Sequence, residues 1–158
     1  DVDLRPVEGA VALLDAVLAV AQRQAQGLLG LLQGGDVLGG ADRADQLAIV
    51  GAGRVGLIRG ELAARHPSVG WIGVCEKIPE RAKFVADKVG ADFVTADYRE
   101  LIARPEVNAL IVSTDEHLHV DPILAACERG IPMLIEKPLA TDLGESQMVM
   151  DALEAALR

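Results

Sequence analysis

The chain has two stretches with different hydrophobic rhythms. Over residues 7–33, apolar positions recur at Val11, Leu14, Leu18, Ala21, Ala25, Leu28 and Leu32, in alternating steps of three and four. This a/d heptad stripe predicts one long helix, with Asp15, Gln22, Gln26 and Gln33 off the stripe. Such a stripe suits a helix that dimerises or docks, and equally a helix that covers part of the same chain; the spacing does not choose. A bilayer span is excluded, because Asp15 and Gln22-Arg23-Gln24 would lie in hydrocarbon. Residues 34–46 are rich in Gly and Asp and read as a linker. The expected division is therefore a helical extension with its linker over 1–46, and a second unit over 47–158.

From Leu47 onward short apolar runs alternate with helical stretches. The runs are Leu47–Val50, Trp71–Cys75, Phe93–Thr95, Ala109–Val112 and Met133–Ile135. Helices are predicted between them at 55–65, 79–89, 97–103 and 118–129, with a last one over 143–157. Asp142 is placed to cap that last helix, with Glu145 at the third position of a capping box. Strands and helices alternating at this spacing imply βαβ units, hence an α/β fold with a doubly wound parallel sheet.

Composition agrees. Hydrophobic residues make up 51% of the 158, but aromatics only 3%, so the core must be built from Ala, Val, Leu and Ile. An aliphatic, β-branched core suits a parallel sheet buried on both faces. The net charge of −9, with no cluster of Lys or Arg, argues against a nucleic-acid partner. Cys75 and Cys127 have no metal-ligand spacing and read as small buried thiols. Nothing requires an oxidising compartment, and no secretory signal opens the chain, so a cytoplasmic location is expected. The chain starts at Asp1, which suits a processed product, an excised piece or a fragment of something longer.

The chemistry starts where the first strand ends. Leu47-Ala48-Ile49-Val50 runs directly into Gly51-Ala52-Gly53-Arg54-Val55-Gly56, a G-x-G-x-x-G placed between a strand and a helix. Gly51 would permit the tight turn, Gly53 would let the backbone approach a pyrophosphate, and Gly56 would let the helix pack closely on the strand. The helix N-terminus then offers N–H groups and a positive dipole end to phosphates. Glu76 closes the second strand, twenty positions beyond Gly56. A carboxylate there accepts hydrogen bonds from the adenosine ribose hydroxyls and favours NAD. The neighbouring Lys77 leaves NADP open. The pattern is that of a dinucleotide-binding Rossmann domain.

Several further motifs resemble the N-terminal domain of the Gfo/Idh/MocA oxidoreductases, which include glucose–fructose oxidoreductase and inositol dehydrogenase. Ile49–Gly56 resembles the opening of that family, Pro79-Glu80-Arg81-Ala82 the start of its second helix, and Asp97-Tyr98-Arg99-Glu100-Leu101 its typical D-Y-R-E-L segment. Glu136-Lys137-Pro138-Leu139-Ala140 resembles its E-K-P segment after the fifth strand. The resemblance implies cofactor contacts from Gly51, Gly53, Arg54, Val55, Gly56, Glu76, Lys77, Ser113, Thr114, Glu136 and Lys137. It implies catalytic roles for Lys137, near the nicotinamide and substrate hydroxyl, and for His119. It also implies that the Lys137–Pro138 bond is cis.

The chain departs from the family in two places. Asp115 and Glu116 stand where the family has Pro and Asn in a T-P-N-x-x-H segment that Thr114 and His119 otherwise match. Asp115, His117 and His119 do not make a metal site, because two histidines two apart on a helical turn face different ways. The family's second domain, a mostly antiparallel sheet that walls the substrate site, has no counterpart before Arg158.

Two functions follow. One is the cofactor-binding part of an NAD(P)-dependent oxidoreductase acting on a sugar, polyol or related carbinol or carbonyl, completed by a missing domain or second chain. The other is a non-enzymatic dinucleotide sensor or assembly module that forms a homo-oligomer through the N-terminal helix.

Overall fold

The structure is a computed structural model that describes residues 45–158. The heptad stripe of 7–33 and residues 34–44 lie outside the described residues. Five strands form the sheet: β1 (Asp45–Val50), β2 (Val69–Cys75), β3 (Phe93–Thr95), β4 (Ala109–Val112) and β5 (Met133–Ile135). Five helices follow them in turn: α1 (Arg54–Ala64), α2 (Pro79–Val89), α3 (Tyr98–Ala103), α4 (Val120–Glu128) and α5 (Leu143–Ala156). All four strand pairings are parallel, in the order β3-β2-β1-β4-β5. This is the doubly wound Rossmann arrangement that the alternation predicts.

Two aliphatic cores sit on opposite faces of the sheet, as a doubly wound fold requires. One side chain set, including Ile49, Val74, Val85 and Val89, packs α1 and α2 on one face. The other includes Val50, Leu101, Val112, Ile123 and Val149 and packs α3, α4 and α5 on the opposite face. Successive residues of β1 therefore serve opposite cores: Ile49 is in one and Val50 in the other, both at most 2% exposed. The few aromatics serve the β2–β3 edge, where Trp71 stacks on Phe93 and the Arg104 guanidinium lies 4.2 Å from the Phe93 ring centre.

Element ends differ from the sequence expectation in small, explicable ways. β1 begins at Asp45, two residues inside the expected linker. Asp45 is buried, accepts a 2.8 Å hydrogen bond from the Ser68 hydroxyl, and donates its N–H to the Ser68 carbonyl. The helix expected from 118 is split: a 3₁₀ turn covers Glu116–Leu118 and α4 starts at Val120. At α5, Asp142 accepts from the Glu145 N–H as expected. The Glu145 carboxylate, however, meets the Thr141 hydroxyl at 3.4 Å in place of the return half of the capping box. Asp97 likewise caps α3, accepting from the Arg99 N–H.

Cys75, at the buried end of β2, gives a test of this packing. Burial, and next the charges of Asp97 and Glu76, push its thiol up from 9.0 to about 11. Between those pH values the unfolded chain has lost a proton that the folded chain keeps, so stability falls as pH rises through that window. Chemical denaturation at stepped pH should show the wild type losing about 2 kcal/mol more than Cys75→Ala between pH 9 and 11. Parallel curves for the two proteins would show that the thiol is not desolvated.

Candidate dinucleotide site

The site lies at the carboxyl ends of β1, β2, β4 and β5, where the strand order reverses and a parallel sheet opens a crevice. Its floor is the turn from β1 into α1. Gly51 has φ +92, and a side chain there would come within 2.5 Å of the Thr114 backbone nitrogen. The Gly51 N–H is held by the Cys75 carbonyl, and its carbonyl accepts a 2.7 Å hydrogen bond from the Ser113 hydroxyl. That same carbonyl would stand 2.1 Å from a Cβ at Gly56. Gly56 is therefore a packing requirement between α1 and the loop. Gly53 differs: a Cβ there would meet nothing within 4 Å, so the space beside it is free for a ligand. No side chain caps α1 at Gly53, which leaves its first-turn N–H groups directed outward. Arg54 and Val55 occupy that first turn and are exposed.

Glu76 is tied down on two sides. One carboxylate oxygen accepts from the Ala52 N–H at 3.1 Å and the other from the Ile78 N–H at 3.0 Å. The Arg81 guanidinium stands 3.6 Å from the first of these oxygens. The carboxylate thus joins the glycine loop to the start of α2 and carries a cation beside it, while Lys77 is exposed. The sequence pattern alone does not pair Arg81 with Glu76. The signal was its position in the first turn of α2, which brings it back over the end of β2. A groove of about 700 Å³ starts at Glu76 and Lys77 and runs along α2 past Ala82, Ala86 and Gly90. It leads away from the glycine loop.

The opposite wall comes from β4 and β5. Ser113 is buried and serves the loop, as described. The Thr114 hydroxyl is buried and has no partner among the described residues. Asp115, Glu116 and His117 are exposed on the turn before α4. His119 is buried. It is 1% exposed, beneath the crevice, with Nδ1 2.7 Å from the Pro138 carbonyl oxygen and Nε2 3.0 Å from that of Thr114. Each oxygen can only accept, so a neutral ring donates to one of them at a time. The inward turn of residue 119 follows from the 3₁₀ segment, which leaves His117 outside and His119 packed below.

Glu136 is also engaged. Its carboxylate pairs with Arg59 of α1, and its N–H donates to the Val112 carbonyl at 3.0 Å. Lys137 follows, exposed, before a cis peptide bond to Pro138.

A parallel sheet in this order, with a glycine turn feeding an uncapped helix and an acidic residue ending the next strand, defines a dinucleotide-binding Rossmann domain. The chain belongs to the oxidoreductase family with an NAD-binding Rossmann fold, the GFO_IDH_MocA family, whose model matches residues 46–157. It is similar to levoglucosan dehydrogenase of Pseudarthrobacter phenanthrenivorans, 29% identical over 68% of this chain and 30% of that protein. It is also similar to inositol 2-dehydrogenase 4 of Saccharopolyspora erythraea, 34% identical over 75% of this chain and 35% of that one. A solved levoglucosan dehydrogenase in complex with NADH and levoglucosan superposes with a TM-score of 0.64 at 28% identity, covering 71% of this chain and 32% of that chain. The chain thus spans about a third of the length of these relatives.

Among the described residues no helix is long and apolar enough to cross a membrane, and no cluster of His, Cys, Asp and Glu could hold a metal ion.

The crowding at the loop makes a clear prediction for Gly56→Ala. The new methyl would press on backbone, which cannot swing aside, so the variant should lose about 3 kcal/mol in a denaturant melt. An unchanged midpoint would mean that α1 is not seated against the Gly51 carbonyl.

Proposed function

We propose that this chain is the cofactor-binding part of an NAD(P)-dependent oxidoreductase that acts on a sugar, polyol or related carbinol or carbonyl compound. The observation that carries this reading is the open space at Gly53, at an uncapped helix end between Glu76 and the Glu136-Lys137-Pro138 turn. Levoglucosan and inositol, after which two of the relatives are named, are both polyhydroxylated rings, and this supports the substrate class. When bound, the nicotinamide supplies or takes up the hydride. The protein's own work is to bind, orient and handle a proton.

Gly53 and the N–H groups of Arg54 and Val55 receive the pyrophosphate, as expected for a helix N-terminus. Glu76 still has lone pairs to offer the adenosine ribose hydroxyls after its two backbone contacts. Fixed in that way, it favours NADH over NADPH, although Arg81 and Lys77 are at hand for a 2′-phosphate. The unpartnered Thr114 hydroxyl is a contact for the ligand on the β4 side. Lys137 is the proton-handling group at the substrate end. His119 holds backbone in place on this reading, because its buried ring nitrogens face the Thr114 and Pro138 carbonyls. The wall that encloses the substrate is supplied from outside these residues, by further chain or by a partner chain.

Titration calorimetry of the purified chain with NADH and NADPH tests the reading, with Gly53→Val as the comparison. Gly53 is in extended backbone with free space beside it, so the variant should stay folded and lose no more than about 1 kcal/mol, the scale of an unfavourable N-cap residue. It should bind NADH at least tenfold more weakly, because the side chain fills the phosphate cradle. The wild type should prefer NADH. A folded wild type that binds neither nucleotide would sink the cofactor assignment.

A further inference from the structure

Lys137 is flanked by two anchored residues. Before it, the Glu136 N–H is bonded to the end of β4 and the Glu136 carboxylate is paired with Arg59. After it, the Pro138 carbonyl is bonded to His119. The Lys137 ammonium itself makes no ion pair or hydrogen bond among the described residues. The carboxylate nearest to it along the chain belongs to its own neighbour, Glu136. Arg59, midway along α1, holds that carboxylate; the N-terminus of the same helix follows the glycine loop. The pair is half-buried, with side chains 32% and 21% exposed. Either partner alone would be left partly desolvated and without a counter-charge.

We infer that Arg59 is a positioning residue for Lys137: by sequestering the Glu136 carboxylate it keeps the Lys137 ammonium free and aimed at the nicotinamide end of the bound cofactor. The inference rests on the cofactor reading above and adds to it a link between α1 and the β5 turn. Through this link one helix sets both ends of the site, the pyrophosphate through its N-terminus and the nicotinamide side through Arg59. Glu136 on this account is a tether and not a cofactor ligand.

The test compares two ligands that differ only at that end, NADH and ADP-ribose, by titration against the full chain. Wild type should bind NADH more tightly than ADP-ribose. In Arg59→Met, which keeps the side-chain volume, that preference should shrink about tenfold, the scale of one hydrogen bond to a charged group. ADP-ribose affinity should stay within about twofold of wild type, because the adenosine and pyrophosphate contacts do not involve residue 59. Arg59→Lys should restore much of the preference. An unchanged NADH to ADP-ribose ratio in Arg59→Met, or equal weakening of both ligands, would overturn the inference and leave the pair a brace for α1. If Arg59→Met does not fold, Arg59→Gln decides: the neutral amide should lower the ratio, and a wild-type ratio overturns the inference. Wild type binding both ligands equally would also overturn it. Wild type binding neither would instead defeat the cofactor reading itself.

Discussion

The carbonyl oxygen of Gly51 is the point on which the crevice depends. It receives the Ser113 hydroxyl from the end of β4, and α1 presses against it so closely that residue 56 has no room for a side chain. With that oxygen fixed, α1 has one depth relative to the sheet. Its N-terminus then opens at the carboxyl ends of the strands, beside free space at Gly53. A loop held by water alone would fluctuate. Here the glycine turn, the helix that follows it and the distant end of β4 meet at one oxygen atom, and the anion-binding end of the helix is pre-formed, which lowers the ordering cost of binding a phosphate.

The fold could be read almost completely from the sequence, because its signals are local. Each β-strand is a short apolar run, α2, α3 and α5 start at a proline or a capping Asp, and a sheet buried on both faces leaves no other use for such runs. The glycine motif was legible for the same reason: its spacing reports backbone geometry directly. The partners of the site's charged residues were harder to see. Arg59 and Glu136 are far apart in sequence and sit on different elements. Neither occupies a motif position that implies the other, so only the folded chain, which brings the residue after β5 within reach of an arginine on α1, brings them together. His119 matched its motif by position, but the motif does not specify whether the ring faces the crevice or the interior. The 3₁₀ segment before α4 decides that.

Glu76 shows how a strand-end carboxylate does structural and ligand work at once. Its contacts with Ala52 and Ile78 join two loops that belong to successive βαβ units. A substitution there would loosen the glycine turn as well as remove a ribose partner. Loss of nucleotide affinity in a Glu76 variant is therefore not by itself a measure of the ribose contact. Double-mutant comparison with a loop variant would separate the two contributions.

The central position of β1 has a consequence for how the molecule is made. Its two neighbours are β2, next along the chain, and β4, whose Ala109 sits opposite Leu47. Closing a loop of this length carries an entropic cost before any contact offsets it. On the ribosome, β1, α1 and β2 emerge first and can dock as a unit, but β1 stays an open edge until β4 has been synthesised. The Ser113 bond to Gly51 forms only at that stage, 62 residues after the glycine it holds. The nascent chain thus carries its phosphate loop in an unfinished state for most of translation of this domain, and nucleotide can be captured only once the second half of the sheet has closed over the first.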